Sequence, residues 1–203
     1  MKLIGMLDSP YVRRVAISAK CLGIPLEHAS VSVFRHFEQF QQINPVVKAP
    51  TLVLDDGEVL MDSTLIIDYL EALAAPGKSL ISDNPVQRLR SLRLIGLALA
   101  ACEKSVQLYY ERNLRPAEIQ YAPWVERVEG QLAAAYSALE RELEKQPLKT
   151  DGSIAQDGIS LAVAWSFTNL VVPDQVDAAQ FPLINAFTAY AEGLEVFIDT
   201  PIE

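Results

Sequence analysis

Lys48-Ala49-Pro50-Thr51-Leu52-Val53-Leu54-Asp55-Asp56-Gly57-Glu58-Val59-Leu60-Met61-Asp62-Ser63 is the stretch around which the chain is organised. Two short apolar runs, Thr51 to Leu54 and Val59 to Met61, flank a turn holding Asp56-Gly57. Gly and Asp tolerate the positive φ of tight turns, so the pattern predicts a β-hairpin. Pro50 cannot donate to a strand ladder and is expected to open the strand or to sit in a bend. Asp62-Ser63-Thr64 then offers N-cap side chains to a segment whose Leu65, Ile66, Tyr69, Leu70 and Leu73 share one face. A hairpin that runs straight into a capped helix sets a ladder-free loop near a helix N-terminus. That pairing suits a carboxylate or a phosphate.

Upstream, Leu3 to Met6 reads as a short buried strand, and Ser9-Pro10 opens a helix with favoured residues at N-cap and N1. Val12, Val15, Ala16, Ala19 and Leu22 form its apolar stripe, and Gly23 stops it. Leu26 to Phe34, rich in β-branched residues, predicts a second strand and therefore a parallel, right-handed β-α-β crossover. Phe37, Phe40 and Ile43 predict a short helix between Arg35 and Asn44. Arg13 and Arg14 read as a solvated or interface pair. The resulting order, β-α-β-α-β-β-α, is that of a thioredoxin-like domain, with Pro50 facing the start of the first helix.

The totals set bounds. A chain of 203 residues, half of them hydrophobic, with mean hydropathy +0.16, can bury a sizeable core. A net charge of −9 argues against electrostatic binding to nucleic acid or to an anionic membrane. The opening residues have no charged n-region and apolar h-region, so no secretory signal is expected, and the longest apolar stretch, from Ile159 to Val172, is too short to span a bilayer. Two cysteines, Cys21 and Cys102, fall in different segments, so a cytoplasmic protein with unpaired thiols is expected. His28 and His36 have no metal-ligand spacing with each other or with a cysteine, and no metal site is predicted.

Beyond Ala74-Ala75-Pro76-Gly77 no strand signal remains. Residues 78–84 read as a polar linker, which divides the chain into a first domain, 1–77, and an all-helical second domain, 85–203. Val86, Leu89, Leu92, Ile95, Leu99, Cys102 and Val106 mark one face of a long helix from Pro85 that reaches Tyr109 and Tyr110. Trp124 to Gln146 carries the clearest helical period. Ser153-Ile154-Ala155-Gln156 reads as a capping box for a helix through Leu170, apolar on most sides and so central to the bundle. Pro182 to Ala191 predicts another helix, and Val196, Phe197 and Ile198 a short packed tail.

Ser9-Pro10-Tyr11-Val12-Arg13-Arg14, Asn44-Pro45 with Lys48-Ala49-Pro50, and Asp62-Ser63 before a helix occur in the order and spacing of the glutathione S-transferase superfamily. The chain resembles in particular its small bacterial YibF-like group. The resemblance implies a thioredoxin-like glutathione-binding domain followed by an all-α bundle. It also implies that reduced glutathione is a co-substrate, with no tightly bound cofactor. It assigns glutathione binding to Ser9, Lys48, Ala49, Pro50, Asp62 and Ser63, with Ser9 as the catalytic hydroxyl that donates to the thiolate. Pro50 is expected to be cis, because a trans bond would turn the Ala49 backbone away from Ser9. Tyr109 and Tyr110 fall where the family lines its pocket for a small hydrophobic electrophile, expected between the domains. A homodimer formed through the helix after Asp62 and the first long helix is implied too, with Tyr69, Leu73 and Leu92 as apolar material, as is a detoxifying role.

Two other functions share this fold. A non-catalytic binding or regulatory protein, like the stringent-starvation relatives that contact polymerase, would not require Ser9, Pro50 and Asp62-Ser63. A glutathione-dependent reductase or peroxidase calls for a cysteine near residue 9, and here both sulfurs of the glutaredoxin Cys-Pro-Tyr-Cys turn are replaced.

Overall fold

A computed structural model describes residues 1–202, which divide into two compact units, Met1–Ile81 joined by the segment from Leu194 onward, and Ser82–Gly193. The first unit opens with β1 (Lys2–Ile4), α1 (Pro10–Leu22), β2 (Glu27–Ala29) and α2 (Phe37–Ile43). It continues with β3 (Thr51–Val53), β4 (Val59–Met61) and α3 (Ser63–Leu73). The sheet order is β2-β1-β3-β4, with β1 parallel to β2 and the other pairs antiparallel. Leu3 lies opposite His28 on one side and Leu52 on the other.

Alternation along β1 explains why helices cover both faces of this sheet. Leu3 joins Val12, Val15, Ala19 and Leu22 of α1 and Ile66, Ile67 and Leu70 of α3 in one cluster. Its neighbour Ile4 points the other way, to Val31 and to Phe40 of α2. Each buried Val, Leu, Ile or Phe among them contributes roughly 1.5–3 kcal/mol by leaving water. The hairpin forms as expected: Gly57 has φ 90°, Leu54 donates to the Glu58 carbonyl at 2.9 Å, and the Asp56 carboxylate accepts from Glu58 N–H at 3.1 Å. Gly23 ends α1 at φ 74°, with the paired bonds Gly23 N–H to Lys20 O and Ile24 N–H to Ala19 O.

Two expectations for this unit need correction. The second strand is three residues long, not Leu26 to Phe34. It is an edge strand pairing only with the three-residue β1, and the Ser32 hydroxyl then turns the chain by accepting from the N–H groups of Phe34 and Arg35. Arg13 and Arg14 are not solvated; each is 2% exposed. Helix α1 is covered on almost every side, so its arginines must find partners inside the unit.

The second unit contains α4 (Pro85–Asn113), α5 (Ala122–Lys145), α6 (Gln156–Val171) and α7 (Pro182–Glu192). Central α6 is buried at twelve positions from Gln156 to Thr168, as its all-round apolar sequence implies. A chain of buried hydroxyls crosses the bundle: Ser105 lies 2.7 Å from Thr168 Oγ1, which lies 2.6 Å from the Tyr136 hydroxyl, itself donating to the Ala164 carbonyl. The buried face of α4 is Leu94, Ile95, Ala98, Ala101, Cys102, Ser105 and Leu108, so the expected stripe is wrong at its start. Val86, Leu89 and Leu92 are exposed. The capping box is also absent. The N-cap of α6 is Ala155, and the Ser153 hydroxyl donates instead to Asp151. Buried Asp157 serves the helix start, accepting from Gly158 N–H at 2.9 Å and from Ser91 Oγ of α4 at 2.7 Å.

The tail, expected within the second domain, returns to the first unit as α8 (Glu195–Ile198). Phe197 is 1% exposed beneath the Arg13 guanidinium, 5.3 Å from its ring centre, and Arg13 Nε donates to the Thr200 carbonyl at 2.8 Å. These contacts hold the tail against α1. No helix among the described residues is long and apolar enough to cross a membrane.

Candidate functional site

Three segments of the first unit carry the expected site residues. Ser9 closes the turn between β1 and α1, its N–H bonded to the Met6 carbonyl and its carbonyl to Arg13 N–H. It holds the N-cap position of a 13-residue helix at φ −71°, ψ 122°, yet its hydroxyl makes no capping hydrogen bond. A half-buried donor is therefore left at the positive end of α1, where negative charge is favoured.

The second segment is the loop into β3. Asn44, 4% exposed, donates to Thr51 Oγ1 at 2.8 Å and accepts from Val46 N–H at 3.0 Å. Thr51 Oγ1 donates in turn to the Lys48 carbonyl at 2.7 Å. Val47 is held at φ 51°, costly for a β-branched residue, and the Ala49–Pro50 bond is cis as expected. Gly5 explains how the loop comes so close to β1. It has φ 136°, and a Cβ built there would fall 2.6 Å from Val12 Cγ2 and 3.1 Å from Ala49 Cβ.

The third segment is the N-terminus of α3. Asp62 is its N-cap, accepting from Thr64 N–H at 2.9 Å, and its other oxygen lies 3.6 Å from Lys48 Nζ. Its φ of 75° and that of Val47 are the two positive values at non-glycine positions among the described residues, and both flank this site. Strained backbone of this kind collects where function requires a fixed geometry. Ser63 is 3% exposed, and its hydroxyl accepts from Arg14 Nη1 of α1 at 3.0 Å.

Lys48, Asp62 and Ser63 thus stand together, and Arg14 joins them to the helix that Ser9 begins. Tyr109 and Tyr110 lie in the second unit on α4, edge to face with ring centres 6.3 Å apart. Burial raises the Tyr110 pKa, with a smaller contribution from Tyr109. Cys21 stands twelve residues along α1 from Ser9, about 18 Å at 1.5 Å per residue, and burial raises its thiol pKa. No group of three or more His, Cys, Asp or Glu side chains among the described residues could hold a metal ion.

Residues 3–78 match the family profile of the glutathione S-transferase N-terminal domain. The chain is 30% identical over 175 residues to the uncharacterized GST-like protein YibF of Escherichia coli K12, covering 85% of each. The chain belongs to the glutathione S-transferase family. A maleylacetoacetate isomerase of Pseudomonas aeruginosa is 29% identical over 147 residues, 68% of this chain and 69% of its own. A glutathione transferase family member from Pseudomonas fluorescens Pf-5, solved with bound glutathione, superposes with TM-score 0.87 at 28% identity, covering all of this chain and 98% of the other.

Within this glutathione S-transferase fold, sequence reasoning missed three contributors to the site. Gly5, Asn44 and Arg14 support the loop and the start of α3 without belonging to the hairpin. The signal for Arg14 was present: a charged residue inside an apolar helix, with Val15 after it and buried Ser18 one turn on, has little solvent to reach.

Proposed function

We propose that the first unit binds reduced glutathione and that Ser9 stabilises its thiolate for attack on a small electrophile. The observation that carries this reading is the Ser9 hydroxyl, placed at a helix N-terminus and unused as a cap. Bound there, glutathione would lose its thiol proton to solvent, and the Ser9 O–H would donate to the sulfur anion. The sulfur electron pair then forms a carbon–sulfur bond while the leaving group departs with its own pair. A free thiol titrates near pH ~8.5, and a hydroxyl donor with a helix dipole lowers that by about one to two units. Ala49 and Pro50 supply backbone partners for the peptide, with Lys48 beside them. Asp62 and Ser63 take the γ-glutamyl end, carboxylate toward the α3 N-terminus and ammonium toward Asp62. The relative solved with bound glutathione supports the choice of ligand.

The same reading includes a homodimer in a reducing, cytoplasmic setting. Leu65 and Leu73 on α3 and Val86, Leu89 and Leu92 on α4 are apolar and exposed, and neither cysteine is in a disulfide. Retention on glutathione-agarose followed by a screen of electrophiles tests the activity. A protein that elutes with the void volume and turns over no electrophile would end the proposal. Sedimentation at micromolar concentration tests the dimer, with L89E expected to yield monomer.

A further inference from the structure

We propose that Arg14 is a positioning residue of the glutathione site, holding the Ser63 hydroxyl so that it meets the ligand as a donor. The proposal rests on the glutathione reading given above. A serine hydroxyl has one hydrogen and two lone pairs, and can present either polarity to a ligand. Arg14 Nη1 donates to Ser63 Oγ at 3.0 Å, which takes one lone pair and sets a positive charge against any cationic donor approaching the other. The hydroxyl hydrogen must then point elsewhere, and Ser63 is 3% exposed, with little water to receive it. A ligand group that satisfies this hydrogen is an acceptor, so a carboxylate fits and an ammonium does not.

Charge acts in the same direction. The guanidinium keeps its proton at every accessible pH and is 2% exposed, so it sets a permanent positive charge beside the start of α3. It reaches Thr64 Oγ1 as well, at 3.3 Å, spanning the first two residues of that helix. The opening N–H groups of any helix lack intrahelical acceptors and add to the preference for an anion. Across the cap, Asp62 offers the opposite polarity, which orients a zwitterionic end group one way round. Arg14 is also fixed at its own backbone, where Ser18 Oγ donates to its carbonyl at 2.6 Å. Since Ser9 begins the helix that carries Arg14, this contact sets the distance between the thiol site and the γ-glutamyl site. A lysine would keep the charge, but its shorter, freely rotating ammonium would not reproduce the planar guanidinium whose Nη1 meets both hydroxyls.

The test is calorimetric titration of glutathione and of the dipeptide Cys-Gly, which lacks the γ-glutamyl residue, into wild type, R14K, S63A and the double variant. Wild-type binding of glutathione is the control for the functional reading, and its absence would overturn that reading and this one together. With the control met, R14K should weaken glutathione roughly tenfold or more while leaving Cys-Gly within about twofold. In the S63A background, R14K should add no more than about twofold. Equal weakening of both ligands, or full additivity of the two changes, would mean that Arg14 only supports the fold and would overturn the proposal. Should R14K fail to fold, S63A carries the test, because it removes the partner and keeps the buried arginine. Retention in S63A of the wild-type preference for glutathione over Cys-Gly would overturn the proposal equally.

Discussion

Replacing Gly5 by Ala should damage the first unit far more than its single added methyl suggests. At φ 136° an L side chain is strained, a cost of about 1–3 kcal/mol. The new Cβ would lie 2.6 Å from Val12 Cγ2 and 3.1 Å from Ala49 Cβ, and overpacking of that kind costs about 1–3 kcal/mol. Lower entropy of the unfolded chain returns about 0.4–1 kcal/mol. The net loss is then about 3 kcal/mol, a large part of the ~5–15 kcal/mol typical of a folded protein. With a urea slope of about 1–3 kcal/mol/M, the midpoint should fall by roughly 1–3 M. Amide hydrogen exchange along β1, β3 and α1 is the suitable assay, because both tryptophans, Trp124 and Trp165, stand in the second unit and their fluorescence reports there. Val12 lies in the first turn of α1, next to Ser9, and Ala49 carries the loop, so glutathione affinity should fall as well. An unchanged exchange profile with unchanged affinity would refute the close-approach argument.

Glu140→Ala should cost about 2–4 kcal/mol, because this buried carboxylate accepts from Leu183 N–H at 2.7 Å and Ile184 N–H at 3.0 Å, and no side chain of the α7 N-cap does so. Tryptophan fluorescence against urea measures it, and a midpoint equal to wild type would contradict the assignment. Phe197→Ala should cost about 3–5 kcal/mol and raise exchange along α1, since the ring is buried beneath Arg13; exchange changes confined to the second unit would contradict the tail's placement.

The sequence was legible wherever local rules decide the outcome. Asp56-Gly57 specified the hairpin, Ser9-Pro10 and Gly23 bounded α1 within a residue, and Pro85 and Pro182 each opened a helix. Failures arose where a competing partner, near or distant in the chain, decides the outcome. Ser153 reads as a cap by its spacing to Gln156, but Asp151 takes its hydroxyl and Asp157 attends the helix start. Val86 and Leu89 continue the helical period of α4, yet the single chain leaves them exposed, so period alone misplaced the buried face. Arg13 and Arg14 are polar by type, and the return of Phe197 and Thr200, and the position of Ser63, help make their burial tolerable. At the site, Asp62 and Ser63 were readable as a helix start, whereas the guanidinium that engages Ser63 comes from 49 positions away.

The central claim is that the Ser9 hydroxyl stabilises a glutathione thiolate, and thiolate absorbance of the bound peptide against pH tests it most directly. Ser9 makes no capping bond, so neither S9A nor S9G removes one, and both should melt close to wild type. Losing a hydrogen bond to a charged group costs about 1.5–3 kcal/mol, which corresponds to roughly one to two pKa units. The account predicts that the bound thiol titrates that much higher in both variants, while glutathione affinity, set mainly by Ala49, Asp62 and Ser63, changes less. Three superimposed titration curves for wild type, S9A and S9G would contradict it and assign the activation to the helix N-terminus or to another donor.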